Sequence, residues 1–308
     1  MRTAFFRALV DLAAEDERIL LVLGDLGFGV TREYAERFPD RLINAGVAEQ
    51  NMTGLATGLA LSGKVVFTYS IANFPTLRCV EQIRNDACYH DANVKVVAVG
   101  GGYAYGSLGM THHATEDLAI MRALPGLVVA APGDPHEAEA VTRIVARHPG
   151  PCYLRLGRAG EPDVHEGPVD LALGRSLLVR DGTDLTIVSS GGMLETAASV
   201  ARLLATKNVS VRLLSMPFLA PMDVGAVQRA VQETRALVTI EEHSLVGGLG
   251  SAVAEVLCDL GRTEVALKRI GLRPGFSPTA GNQEYLRGKG GLTPEKILTS
   301  VRSFFDGR

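Results

Sequence analysis

Long apolar runs are missing from this 308-residue sequence, so no membrane-spanning helix is expected. The start, Met1-Arg2-Thr3-Ala4-Phe5-Phe6, has no apolar stretch with a cleavage site and runs straight into an amphipathic pattern. No secretory leader is expected from it. Cysteine is scarce: Cys79, Cys88, Cys152 and Cys258 stand apart, without CxxC or metal-ligand spacing. Four isolated cysteines suit a reducing, cytoplasmic setting, and no metal site is expected within the chain. Clustered positive charge is also lacking, with a net charge of −3 and single, scattered Lys and Arg. Nucleic acid and anionic membrane therefore find no support as partners. P-loop, HExxH and GxSxG motifs are absent, and the turn Gly27-Phe28-Gly29 lacks the third glycine of a dinucleotide loop.

What remains is ordinary globular material, 46% hydrophobic and 21% charged. Its length suits about two domains of ~150 residues. Apolar strand-length runs at 19–23, 42–43, 65–69, 94–99 and 127–130 alternate with helical patterns at 2–16, 31–38, 52–60, 76–89, 116–123 and 135–147. Continuous apolar runs suit parallel strands buried on both faces, and the alternation predicts an α/β fold with helices covering a mostly parallel sheet. A glycine-, proline- and charge-rich stretch over 157–168 interrupts the pattern. Strands at 185–188, 209–214, 236–240 and 265–270 then alternate with helices at 193–206, 224–234 and beyond Gly247-Gly248-Leu249-Gly250-Ser251. The expected organisation is a first α/β domain over 1–160, a linker over 161–172 and a second α/β domain over 173–308.

The chemistry gathers where strands end, the edge at which open α/β sheets hold ligands. Asn44-Ala45-Gly46-Val47-Ala48-Glu49-Gln50-Asn51-Met52 places a carboxylate at the mouth of an apolar helix. Such a group is costly to bury alone, and is either half of a structural ion pair or a proton-handling acid/base. Both readings stay open at this point. His112-His113 lies in a glycine-rich loop beyond a buried strand. Adjacent side chains diverge, so one histidine faces the cleft as proton donor or acceptor rather than both binding a metal. Phe74, on the loop after the 65–69 strand, could stack on a flat ring or fill the core. Gln82 could hydrogen-bond a heterocycle, while Glu81 and Arg84 could pair along their helix. The glycines at 247–250 suit tight helix–strand packing, with an anion at the helix N-terminus as the alternative.

With these residues assembled, the chain resembles the C-terminal half of transketolase, of the type whose halves are separate polypeptides. The carrying motifs are Ile43-Asn44-Ala45-Gly46-Val47-Ala48-Glu49-Gln50-Asn51-Met52, Glu81-Gln82-Ile83-Arg84-Asn85-Asp86, Gly109-Met110-Thr111-His112-His113 and Glu116-Asp117-Leu118-Ala119-Ile120-Met121-Arg122-Ala123-Leu124-Pro125. The resemblance spans nearly the whole chain and implies a pyrimidine-binding domain followed by a transketolase C-terminal domain. It implies thiamine diphosphate as cofactor, with Glu49 meeting N1′ of the aminopyrimidine, Phe74 stacking on that ring, Gln82 hydrogen-bonding it and Asp25 beside the cofactor. His112 matches the histidine near the donor sugar's hydroxyls. Arg2 and Arg158 match arginines that hold a sugar phosphate, a task for a bidentate guanidinium. The implied reaction moves a two-carbon ketol unit between sugars, with the cofactor as electron sink.

Departures from the family pattern point to an atypical sugar. Leu108 stands in place of an aspartate that reads a donor hydroxyl, and Gly100 and Gly29 in place of a phosphate-binding histidine and serine. The Gly-Asp-Gly signature of the diphosphate-and-Mg²⁺ half is absent. The resemblance therefore implies a separate N-terminal subunit that holds the diphosphate and Mg²⁺, in an α2β2 heterotetramer. The β subunit of a 2-oxo acid dehydrogenase and a non-catalytic subunit are the alternatives.

Overall fold

The computed structural model describes residues 1–27 and 29–305; Phe28, of the Gly27-Phe28-Gly29 motif, lies outside the described residues. The first half runs α1 (Arg2–Glu15), β1 (Ile19–Leu23), α2 (Arg32–Arg37), β2 (Leu42–Asn44), α3 (Glu49–Leu61), β3 (Val65–Ile71), α4 (Asn73–Leu77), α5 (Val80–Gln82), β4 (Val94–Val99), α6 (Asp117–Arg122), β5 (Val128–Ala130), α7 (Pro135–Arg147) and β6 (Cys152–Leu156). The second runs β7 (Leu177–Arg180), β8 (Leu185–Ser189), α8 (Leu194–Ala205), β9 (Val211–Ser215), β10 (Phe218–Ala220), α9 (Val224–Glu233), β11 (Ala236–Ser244), α10 (Leu249–Asp259), β12 (Ala266–Leu272), α11 (Gln283–Lys289) and α12 (Pro294–Phe305). Among the described residues the strands form two sheets, ordered β10-β5-β6-β4-β3-β1-β2 and β12-β11-β8-β9-β7. Helices cover both, giving the two α/β domains that the alternation predicts.

The apolar strands are buried throughout: β1 and β4 expose no residue, as suits parallel strands with a helical layer on each face. Local signals fix several helix starts. Asp134 accepts the Glu137 N–H at 2.8 Å ahead of Pro135, and Asp223 accepts the Ala226 N–H at 3.0 Å. One apolar cluster runs from Val22 and Met52 in the first domain to Leu237 and Val253 in the second, so the domains share part of their core.

The structure departs from the sequence reading in four places. β6 is a strand that the apolar pattern does not announce, because Arg155 interrupts it; its guanidinium is buried against Asp117. β10 lies in the second half of the chain yet pairs antiparallel with β5, closing the first sheet's edge. The single helix expected over 76–89 is instead α4, α5 and a π-helical turn over Ile83–Cys88, marked by the Tyr89 N–H to Arg84 carbonyl bond at 3.1 Å. The extra residue in that turn keeps both Ile83 and Ala87 in the core, a tertiary demand that local periodicity does not carry. β7, α11 and α12 also go beyond the sequence reading; α12 packs on α8.

Candidate functional site

The carboxyl ends of β1 and β3 meet the N-terminus of α3, and Glu49 sits where they converge. It is the first residue of α3, where the helix dipole favours negative charge. The residue is 2% exposed. Its Oε1 accepts the Ser70 hydroxyl from the end of β3 at 3.1 Å. A Cβ on Gly24 would lie 3.1 Å from the Ser70 hydroxyl oxygen and 3.6 Å from Glu49 Oε1, so the glycine leaves the carboxylate its room. The Arg78 Nη1 donates to Glu49 Oε2 at 3.2 Å. Of the two readings open in the sequence, this chain shows Glu49 as one half of an ion pair.

Arg78 makes a second contact. Its Cζ lies 4.6 Å from the centre of the Phe74 ring, one turn back along the chain. Phe74 in turn meets the His112 ring edge-on at 5.0 Å. The loop carrying His112 is tied to α4 by the Asn73 side-chain amide, which donates to the Thr111 carbonyl at 2.9 Å. Glu49, Phe74 and His112, from three separate stretches of sequence, are thus linked in series, Arg78 joining Glu49 to Phe74 and Phe74 meeting His112. Beside them is a cavity of ≈ 410 Å³ lined by Asn73, Phe74, Arg78, Tyr103, Thr111 and Phe276, the last from the second domain.

The two histidines diverge as adjacent side chains must. His112 lies toward Phe74, and burial together with neighbouring His113 holds its imidazole below the ordinary value. It is therefore neutral at neutral pH and can exchange a proton. His113 is buried, with Nε2 3.2 Å from the Gly106 carbonyl oxygen and its ring against Tyr103. Gln82 presents a buried Oε1 with no hydrogen-bond partner. Asp25 follows β1 in a left-handed conformation, φ 57°, and accepts from the Asn44 amide at 2.9 Å. Arg84 bonds Asn85 rather than pairing with Glu81.

Arg2 and Arg158 belong to a neighbouring group around Tyr105. The Arg2 guanidinium lies beside the Tyr69 hydroxyl, near Tyr105, and its Nε is buried without a partner. Arg158 stacks over the Tyr105 ring at 5.1 Å and lines a ≈ 610 Å³ cleft between the domains. Tyr105 occupies the space of a side chain at position 100: a Cβ on Gly100 would lie 2.1 Å from its ring. Gly100 also has φ +88°, a conformation natural to glycine. Leu108 is 55% exposed on the same loop.

The glycines at 247–250 satisfy both of their readings. Glu241, itself buried, accepts the Leu249 and Gly250 N–H groups at 2.7 and 2.8 Å. The helix N-terminus holds an anion, and that anion is the chain's own. Asp134, Glu137 and His165 bring ligand-type atoms together, but each is engaged internally: Asp134 accepts from Glu137, Val164 and His165, and Glu137 from Gly133 and His165. This group fastens the linker onto α7.

Sequence reasoning missed Arg78, Ser70 and Tyr105. Arg78 had a local signal, standing four residues after Phe74; the other two are placed by tertiary packing alone. The residues present suit the aminopyrimidine of thiamine diphosphate. A buried carboxylate takes a positive donor, an aromatic face takes a flat group, and a buried amide oxygen lacks a hydrogen.

Both halves of the chain are similar to known proteins. Residues 1–161 match the pyrimidine-binding domain of transketolase and residues 174–297 the transketolase C-terminal domain. One of the subunits of the apulose-4-phosphate transketolase of Phocaeicola vulgatus is 36% identical, over 98% of this chain and 96% of its own length. A 6-deoxy-6-sulfo-D-fructose transketolase subunit of a Clostridium species is 36% identical, over 98% of this chain and 93% of its own. A solved split gene transketolase, an inactive β4 tetramer, superposes with a TM-score of 0.89 at 37% identity, covering 99% of this chain and 97% of that one. The chain belongs to the transketolase family, as the C-terminal subunit of a split transketolase.

Proposed function

We propose that this chain carries the pyrimidine half of a thiamine diphosphate site, completed by an N-terminal subunit that holds the diphosphate and Mg²⁺, in an α2β2 assembly that transfers a two-carbon ketol unit between sugars or sugar phosphates, with a specialised substrate. The observation that carries this is the chain of contacts on one edge of the first sheet in which Arg78 joins Glu49 to Phe74 and Phe74 meets His112. Relatives of similar length are named as subunits, and the solved split gene transketolase is an inactive β4 tetramer. The missing Gly-Asp-Gly supports a partner for the diphosphate.

The cofactor, when bound, supplies the nucleophilic carbon and the electron sink needed to break a C–C bond beside a carbonyl. Glu49 would take a proton donor from the pyrimidine ring on Oε2, with Ser70 fixing Oε1. Phe74 would stack on that ring, Gln82 Oε1 would accept its amino group, and Asp25 would lie at its side. His112, neutral and beside Phe74, would orient a donor hydroxyl and exchange its proton. Arg2 and Arg158 would bind an anionic group on the sugar. Tyr105 in the space above Gly100, and Leu108 on the rim, support a substrate other than the common pentose phosphates, as do relatives named for apulose 4-phosphate and a sulfosugar.

The test is reconstitution with a transketolase N-terminal subunit that carries the Gly-Asp-Gly…Asn signature. The pair, with thiamine diphosphate and Mg²⁺, is expected to transfer ketol units, and this chain alone to be inactive. Full activity from the chain alone, or decarboxylation of 2-oxo acids by the pair, would overturn the proposal.

A further inference from the structure

Buried carboxylates are held by fixed partners in most of this protein, but Glu49 is not. Among the described residues its Oε1 has one hydroxyl, and its Oε2 a guanidinium on a side chain that is 53% exposed. Arg78 is the residue at which α4 ends, two positions before α5 begins, so no helix encloses it. The same guanidinium covers the face of Phe74. A planar, positively charged N–H donor thus lies over Phe74 and gives a hydrogen bond to Glu49. Those are the two contacts assigned above to the aminopyrimidine, so a ring arriving on the side that the guanidinium covers meets Arg78 at both Phe74 and Glu49 Oε2.

We infer that Arg78 is a positioning residue that stands in for the pyrimidine in the cofactor-free chain, and that the cofactor displaces it from both Glu49 and Phe74. This rests on the cofactor reading above. The device solves a physical problem: a carboxylate 2% exposed and without a counter-charge is strongly destabilising, so an empty site needs a resident cation. Arg78 supplies one, a counter-charge beside Glu49 that also covers Phe74 until the ligand arrives. Its partial exposure provides the way out, and the adjoining ≈ 410 Å³ cavity the room. The consequence is competition: apparent cofactor affinity is reduced by the fraction of molecules in which Arg78 is seated.

The test uses the chain paired with its diphosphate-binding partner, titrated calorimetrically with thiamine diphosphate in Mg²⁺. Arg78→Ala is expected to tighten the dissociation constant about tenfold, the factor for a seated state favoured ten to one. In the full chain without partner, Arg78→Ala should lower the thermal midpoint by stranding Glu49, and adding Glu49→Gln should restore it. Cofactor binding by Arg78→Ala that is unchanged or weaker would overturn the inference, since Arg78 would then be idle or would itself hold the ligand. Failure of the underlying reading looks different: the wild-type pair would bind no thiamine diphosphate, or Glu49→Gln would leave its affinity untouched, and either result sinks the inference with it.

Discussion

Two of the places where this molecule buries carboxylates treat them differently. In the seam between the domains, Glu242 accepts from the Tyr103 N–H at 3.2 Å, the Gln283 amide at 2.9 Å and Arg287 at 2.8 Å. Nearby, Asp117 accepts the Tyr153 hydroxyl at 2.8 Å and lies 2.9 Å from the Nε of buried Arg155. At the edge of the first sheet, Glu49 is just as deep but has one hydroxyl and one half-exposed arginine. At Glu242 the seam supplies a backbone N–H and two side chains at once, while Asp117 keeps Oδ1 without a hydrogen-bond partner among the described residues yet stays sealed beside Arg155. The edge leaves a bonding position open to exchange, which is what a ligand site requires.

Substitutions can break this contrast. Glu49→Gln keeps the Ser70 bond and the shape, so the fold should lose no more than about 1 kcal/mol, as expected for a partly solvated ion pair. Ketol transfer by the reconstituted pair should nonetheless fall by about 10²–10⁴, the range for loss of a positioned proton-handling group. Steady-state kinetics set beside calorimetry check both halves; full activity would remove Glu49 from the chemistry. Asp117→Ala should do the reverse in the seam. It leaves the Arg155 guanidinium buried without its counter-ion, which costs about 3–5 kcal/mol, read as a lowered denaturation midpoint. A loss as small as that of Glu49→Gln would erase the distinction between the two places.

A gentler probe lies between them. Gly100→Ala forces a Cβ against the Tyr105 ring at a φ of +88° and should cost about 2 kcal/mol. Adding Tyr105→Ala should recover the steric part and leave the backbone part, which denaturation of the double variant resolves. The smallest effect concerns pH. The His165 Nε2 lies 2.8 Å from Glu137 Oε1. That bond raises its pKa above the ordinary 6.5, with the Glu137 and Asp134 charges adding to it. A raised folded-state value means the stabilisation is complete below about 6.5 and is lost as pH climbs through the higher folded value. Melting temperature should decline over that interval in the wild type, and His165→Gln should flatten the decline.

Much of the fold is legible in the sequence because strands buried on both faces read as unbroken apolar runs, as β1 and β4 do. The strand carrying Arg155 is hidden because a charge buried against Asp117 looks, locally, like an exposed one. β10 is hidden because three residues have no period to read and their partner strand lies in the other half of the chain. In the candidate site, Glu49, Phe74 and His112 stand out as polar or aromatic residues at strand ends. Arg78 does not, since an arginine on a short helix is ordinarily a solvated one.

The sequence by itself determined the alternation of strands and helices, the two-domain plan, and a carboxylate at the mouth of an apolar helix. Only the tertiary structure decided what that carboxylate meets. Its bonds to Ser70 and Arg78 span 21 and 29 residues, and separations of that size carry no local periodicity. Folding sets them by bringing strand ends to a common edge, and there burial demands a positive partner for the charge.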